Sequence, residues 1–171
     1  RNQVIMIARC TFKKGIKSFV KIAKANQDYK FVLFTSWDGA DLKCKNYVRD
    51  IKIKNLHVEL DQSKKSDFLN SASYLLSMSH YNETFGYVLC EAIQHEVIPI
   101  STKNDGSNFC LNYNKHLIFE RSEIETNFSS IISELSNNKK SIMDDLKKYH
   151  AKTFSAKKIL EIFKDELINK K

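Results

Sequence analysis

Tyr74-Leu75-Leu76-Ser77-Met78, then Asn82-Glu83-Thr84-Phe85-Gly86-Tyr87-Val88-Leu89-Cys90-Glu91-Ala92, then Val97-Ile98-Pro99-Ile100-Ser101 follow one another between positions 74 and 101. The first and third are short apolar runs of strand length. In the middle one, Phe85, Val88, Leu89 and Ala92 fall at the i, i+3, i+4, i+7 spacing of a helix with one buried stripe. Two such strands joined through a helix pair in parallel, because a hairpin turn cannot return the chain in the same direction. The same pattern extends outward. Further apolar runs at 4–8, 31–35, 56–60 and 116–119 bring the expected strands to six. Their continuity, rather than strict alternation, predicts strands covered on both faces. Ile16, Phe19, Val20 and Ala23 repeat the helical spacing early, and Ile124, Phe128, Ile131, Ile132 and Leu135 repeat it late. The expected fold is therefore α/β, a Rossmann-like, doubly wound, parallel six-stranded sheet.

The chain has 171 residues, 42% hydrophobic and 28% charged. That composition is of a globular domain, large enough to bury roughly two-thirds of its unfolded surface. No apolar run reaches the ~18 residues of a membrane span, and no signal peptide precedes the first strand. With only four glycines and one proline, no flexible linker divides it. The polar Asn137-Asn138-Lys139-Lys140 stretch is the best break. It separates an expected nucleotide-binding unit, 1–136, from a helical segment, 137–171, that packs on it. Met143, Leu146 and Tyr149 mark one helix there; Ile159, Leu160, Phe163 and Leu167 mark another, which Ser155 would cap. The chain starts at Arg1 and enters strand material at once, as a piece of a longer protein would.

The formal net charge of +8 fits anionic partners. No aromatic-basic stripe or nucleic-acid motif is present, so nucleic acid is not an expected partner. Cys10, Cys44, Cys90 and Cys110 have no Cys-x-x-Cys pairing and no histidine at zinc-ligand spacing. They read as reduced, mostly buried thiols of a cytoplasmic protein.

In a sheet of this kind ligands sit at the C-terminal ends of the strands, and two clusters fall there. The first strand runs into Arg9-Cys10-Thr11-Phe12-Lys13-Lys14-Gly15, with a helix starting at about Gly15. Arg grips two phosphate oxygens through its planar fork and Lys adds a mobile point charge; a solvated basic loop would read the same way. In the second cluster, Glu83 precedes the Phe85-Gly86 pair where a helix should begin, and Glu91 is expected a little over two turns into it, at the edge of the buried stripe. A helix start offers backbone N–H groups and a positive dipole end to a phosphate or sugar. Two carboxylates first suggest acid–base catalysis, but this placement argues for gripping hydroxyls. An acid before a helix start also stabilises the dipole without any ligand.

Taken together, the clusters resemble the donor-binding, C-terminal domain of retaining GT-B glycosyltransferases, the glycosyl transferases group 1. Arg9, Lys14-Gly15, Glu83-Thr84-Phe85-Gly86 and Glu91-Ala92 match that family's pattern in order and spacing, over nearly the whole chain. The resemblance implies a hexosyltransferase, one half of a GT-B fold, with no metal and no cofactor. This agrees with the lack of an Asp-x-Asp motif. Its substrate would be a nucleotide-diphospho-sugar, with a UDP-sugar the leading candidate. Arg9 and Lys14 would bind the diphosphate and stabilise its growing charge. Glu83 would act at the donor sugar's hydroxyls, with Thr84, Phe85 and Gly86 lining the donor site, and Glu91 would hold the ribose. The base would lie near Glu59-Leu60.

The acceptor, a glycan, a lipid or lipid-linked molecule, or a polymer in polysaccharide biosynthesis, would be brought by an N-terminal domain absent from this chain. The last helix resembles the segment that packs back towards that domain. The fragment alone would bind donor weakly and transfer nothing efficiently. A peripheral contact with the cytosolic membrane face fits the same resemblance.

Several positions depart from the family pattern. Glu96 and Ile98 stand where a Gly and a Pro are usual, with Pro99 one place late. Ser36-Trp37-Asp38-Gly39 replaces a Gly-rich turn, and Asp105-Gly106-Ser107-Asn108 keeps one Gly and has Asn108 for the usual Glu. Glu96 and Asn108 feed an alternative: a non-catalytic nucleotide-sugar-binding subunit or degenerate glycosyltransferase. Asn82-Glu83-Thr84 also spells a glycosylation sequon, a coincidence in a cytosolic protein.

Overall fold

The computed structural model describes residues 2–83 and 85–154. Six parallel strands form one sheet in the order β3-β2-β1-β4-β5-β6. They are β1 (Gln3–Ile7), β2 (Lys30–Phe34), β3 (Leu56–Glu59), β4 (Tyr74–Ser77), β5 (Ile98–Thr102) and β6 (Ile118–Phe119). Each lies within two residues of the run expected from sequence. Val4, Ile5 and Met6 of β1 and all five residues of β5 are buried, as strands covered on both faces must be.

Pro99 sits within β5, where a missing N–H would normally break a ladder. Ile98 N donates to Ser73 O on the β4 side, whereas Ser101 N and Lys103 N donate to Leu117 O and Phe119 O on the β6 side. Alternation therefore turns the Pro99 nitrogen towards β6, which has only two residues and pairs at Ser101 and Thr102. No ladder bond is lost.

The helices are α1 (Ile16–Ala25), α2 (Leu42–Arg49), α3 (Lys65–Ser71), α4 (Tyr87–Gln94), α5 (Asp105–Cys110), α6 (Arg121–Asn137) and α7 (Lys139–Thr153). From β1 the chain winds one way to β2 and β3, and from β4 it winds the other way to β5 and β6. Right-handed crossovers then put helices on both faces. Phe19 of α1 meets Phe31 of β2 edge to face with centroids 5.5 Å apart, and Phe31 meets Phe128 of α6 at a tilt of 45° and 5.7 Å. That contact fixes α1 and α6 on one face. Each of these rings is at most 1% exposed, and burying one contributes about 1.5–3 kcal/mol. On the other face Cys90 of α4 meets Cys110 of α5, with Sγ atoms 3.5 Å apart, and α7 reaches α5 through His150 Nε2 and Cys110 O at 2.8 Å. Cys10, Cys44 and Cys110 are buried and Cys90 is half-buried, all as free thiols.

The stripe Ile124, Phe128, Ile131, Ile132, Leu135 is buried throughout α6. The polar stretch at residues 137–140 falls on the α6–α7 junction, and Met143 and Leu146 are buried in α7. The expected helix through Ile159 and Leu167, with its Ser155 cap, lies outside the described residues. Among the described residues no helix is long and apolar enough to cross a membrane.

Candidate functional site

The order of the strands reverses between β1 and β4, so their C-terminal ends open into a crevice at the switch point. Two loops line it. After β1 the chain makes a single 3-10 turn, Phe12–Lys14, and enters α1 through Gly15 at φ +82°. A Cβ there would stand 2.1 Å from Met78 O and 2.5 Å from Met78 Cβ. Only glycine lets this loop press against the end of β4. His80 N donates to Lys13 O at 2.8 Å and ties the two loops together.

That contact brings the two sequence clusters side by side. Lys14 Nζ lies 2.7 Å from Glu83 Oε1, with the side chains 33% and 20% exposed. Arg9 is exposed at the end of β1 and makes no ion pair among the described residues. Arg9, Lys14, Glu83, Gly86 and Glu91 all line one cavity of about 1010 Å³. Thr84 lies outside the described residues.

Gly86, at φ +80°, precedes α4. A helix cannot pass through that backbone conformation, so α4 starts at Tyr87 and Glu91 is its fifth residue. Sequence periodicity puts Glu91 a little over two turns in; in the structure it is a little over one. It therefore lies closer to the helix start. Phe85 lines the cavity by its position in the loop, but its ring packs on Tyr87, Phe109 and Phe154, at 4.7, 6.0 and 5.4 Å. The ring anchors the loop.

Several residues that hold the site were not apparent from sequence. Gly106 N donates to Glu83 O at 2.5 Å, and a Cβ on Gly106 would meet that oxygen at 2.7 Å. The single glycine of the 105–108 loop thus lets α5 grip the backbone of Glu83. Asn82 Oδ1 accepts from Asp105 N at 2.7 Å and its Nδ2 donates to Asp105 Oδ2 at 2.5 Å, so its amide is committed to this clasp. Lys65, the first residue of α3, reaches across the cavity to Glu91, with Nζ to Oε1 at 2.5 Å. A Lys64-Lys65 doublet reads as surface, and nothing in its spacing marks it.

Glu59 serves its own loop. It accepts from Leu60 N and Asp61 N, both at 2.9 Å. Chiefly the Asp61 N–H, then that of Leu60, hold its carboxyl below the usual range. From the same loop Gln62 and Lys65 line the cavity instead. Beside the site, burial and then Arg121 push His80 below the ordinary histidine value. Among the described residues no group of three His, Cys, Asp or Glu could hold a metal ion.

One departure from the family pattern has a structural explanation. Glu96 stands at φ +59°, a left-handed position that glycine fills without strain. Its carboxylate pairs with Lys147 of α7. Neither Glu96 nor Asn108 lines the cavity.

A Rossmann-like, all-parallel sheet with basic and acidic motifs brought together at its switch point is the architecture of one half of a GT-B fold. The sequence matches the family described as glycosyl transferases group 1 over residues 1–153, and the chain belongs to that family. Solved structures show the same fold. Anabaena HepE in complex with UDP-glucose superposes with a TM-score of 0.80 at 12% identity, covering 99% of this chain and 49% of that one. The pneumococcal O-GlcNAc transferase GtfA in complex with UDP and GlcNAc gives 0.73 at 18% identity, covering 98% and 35%. The catalytic domain of the Helicobacter pylori cholesterol-alpha-glucosyltransferase gives 0.62 at 15% identity, covering 90% and 99%. This chain thus spans half or less of the Anabaena and pneumococcal chains. No protein with a curated description matches it.

Proposed function

We propose that the chain is the donor-binding half of a retaining, metal-independent hexosyltransferase using a nucleotide-diphospho-sugar, with a UDP-sugar the leading candidate. The observation that carries this reading is the Lys14–Glu83 contact, which joins the basic and acidic motifs in one cavity at the start of α4. Of the solved structures of this fold, one is a complex with UDP-glucose and another a complex with UDP and GlcNAc. In this reading Arg9 and Lys14 bind the diphosphate. As the glycosidic bond breaks, negative charge grows on the departing nucleotide, and these cations stabilise it in place of a divalent ion. Preorganised charge of this sort is often the largest catalytic contribution. Glu83 positions the donor sugar by accepting from its hydroxyls, and its pairing with Lys14 sets the sugar and phosphate ends side by side. Glu91 accepts from the ribose.

The acceptor is a glycan, lipid-linked or polymeric, presented by a second domain at the cytosolic face of a membrane. The degenerate alternative rested on Glu96 and Asn108, and neither faces the cavity.

The test is transfer by the full-length enzyme. Arg9→Ala and Lys14→Ala should each lower kcat by roughly 10²–10³, the loss typical of removing one charge-stabilising donor. Near-normal turnover in both variants would refute the phosphate assignment.

A further inference from the structure

We propose that Lys65 and Glu91 act as one clamp for the ribose diol, with Lys65 the specificity-determining partner that no motif marks. This rests on the reading of Glu91 as the ribose contact and extends it. Local rules disfavour a lysine here. Lys65 opens α3, where the helix dipole is positive, and Lys64 stands at the cap before it. Two lysines at a helix start destabilise it slightly, so Lys65 gains its partner elsewhere: Glu91, on the far wall of the cavity.

The pair is open to ligand, since the side chains are 32% and 38% exposed. Glu91 uses Oε1 for Lys65, which leaves Oε2 to accept a hydroxyl proton. An ammonium carries three donors, and Lys65 spends one on Glu91. The pair therefore offers an acceptor and a donor next to each other. A vicinal diol, whose hydroxyls both donate and accept, matches that arrangement, and a deoxyribose does not.

Charge gives a second reason. Arg9, Lys14 and Lys65 face Glu83 and Glu91 in the cavity, a balance of three positive to two negative groups. Without Lys65 the balance would be neutral, and Glu91 would face an anionic diphosphate unpaired. A buttress that only held two helices together would have no bearing on which sugar the nucleotide carries.

Calorimetry on the full-length protein with UDP and with 2′-deoxy-UDP tests this, using Lys65→Met, Glu91→Gln and the double variant. The wild type should prefer UDP by roughly tenfold or more, the scale of a lost hydrogen bond to a charged group. Each single variant should bring that preference below about threefold, and the double should go no further, because the two act as one unit. If Lys65→Met keeps the wild-type preference while Glu91→Gln loses it, the clamp is wrong and the ribose role of Glu91 stands. If Glu91→Gln also keeps it, or the wild type binds neither nucleotide, the ribose reading itself falls.

Discussion

Replacing Gly15 by alanine should damage the protein far more than the same change at Gly39, although both glycines have left-handed backbones, at φ +82° and +64°. The conformation alone costs an alanine about 1–2 kcal/mol. At Gly39 that is the whole penalty, since nothing lies within 4 Å of the new Cβ. At Gly15 the Cβ would sit 2.1 Å from Met78 O, more than 1 Å inside ordinary contact. Relief requires the β1–α1 loop to lift off the end of β4. Such overpacking typically costs about 1–3 kcal/mol. The same movement breaks the His80–Lys13 hydrogen bond, which is worth about 1 kcal/mol more. The total is on the order of 4 kcal/mol, a large share of a stability of about 5–15 kcal/mol.

For a domain of this size each kcal/mol shifts Tm by about 2–4 °C. Gly15→Ala should therefore melt roughly 8–16 °C low, and Gly39→Ala roughly 2–8 °C low. Circular dichroism melts of the two variants beside the wild type give the answer. Gly15→Ala should also weaken UDP binding, because Lys14 moves with the loop. Equal melting temperatures for the two variants would refute the close packing of loop on strand end. The Lys-Gly order within the basic motif would then need another cause.

Two further predictions concern stability. Glu96→Gly should raise Tm by roughly 2 °C, as relief of a left-handed backbone outweighs one exposed ion pair with Lys147; a fall in Tm would mean the pair dominates. His150, packed against Phe154 and bonded through Nε2 to Cys110 O, is held below the ordinary value of 6.5 by burial. Above 6.5 the folded and unfolded states are both neutral there and stability is unaffected by pH. Below it the unfolded state takes the proton first, so stability falls until the lower folded value is reached. Melts between pH 7.5 and 5 should show this decline, and His150→Gln should make it shallower, with the share due to His80 remaining; an equal slope in the variant would remove His150 from the account.

Much of the fold was legible because fully buried parallel strands leave continuous apolar runs, and all six runs became strands. Arg9, Lys14 and Glu83 could be placed together although Glu83 is 69 residues beyond Lys14, since strand ends at a switch point must converge. The start of α4 was misplaced because apolar spacing carries through Phe85, whereas Gly86 takes a backbone conformation no helix tolerates. Lys65, Asn82 and Gly106 were illegible for another reason. Their roles depend on how side chains and backbone meet across loops, and a lysine doublet, a sequon or one glycine looks the same whether engaged or idle. Glu96 shows the converse, a departure from a family pattern that concerns backbone geometry and leaves the cavity untouched.

Hydrogen–deuterium exchange of the full-length protein with and without saturating UDP tests the central claim most directly, because it reports binding and its location together. Protection should concentrate at residues 9–15, after β1, and at residues 86–91, across the start of α4, with the far ends of the strands unchanged. Protection confined to other segments, or none at all, would contradict a nucleotide site at the β1–β4 switch point.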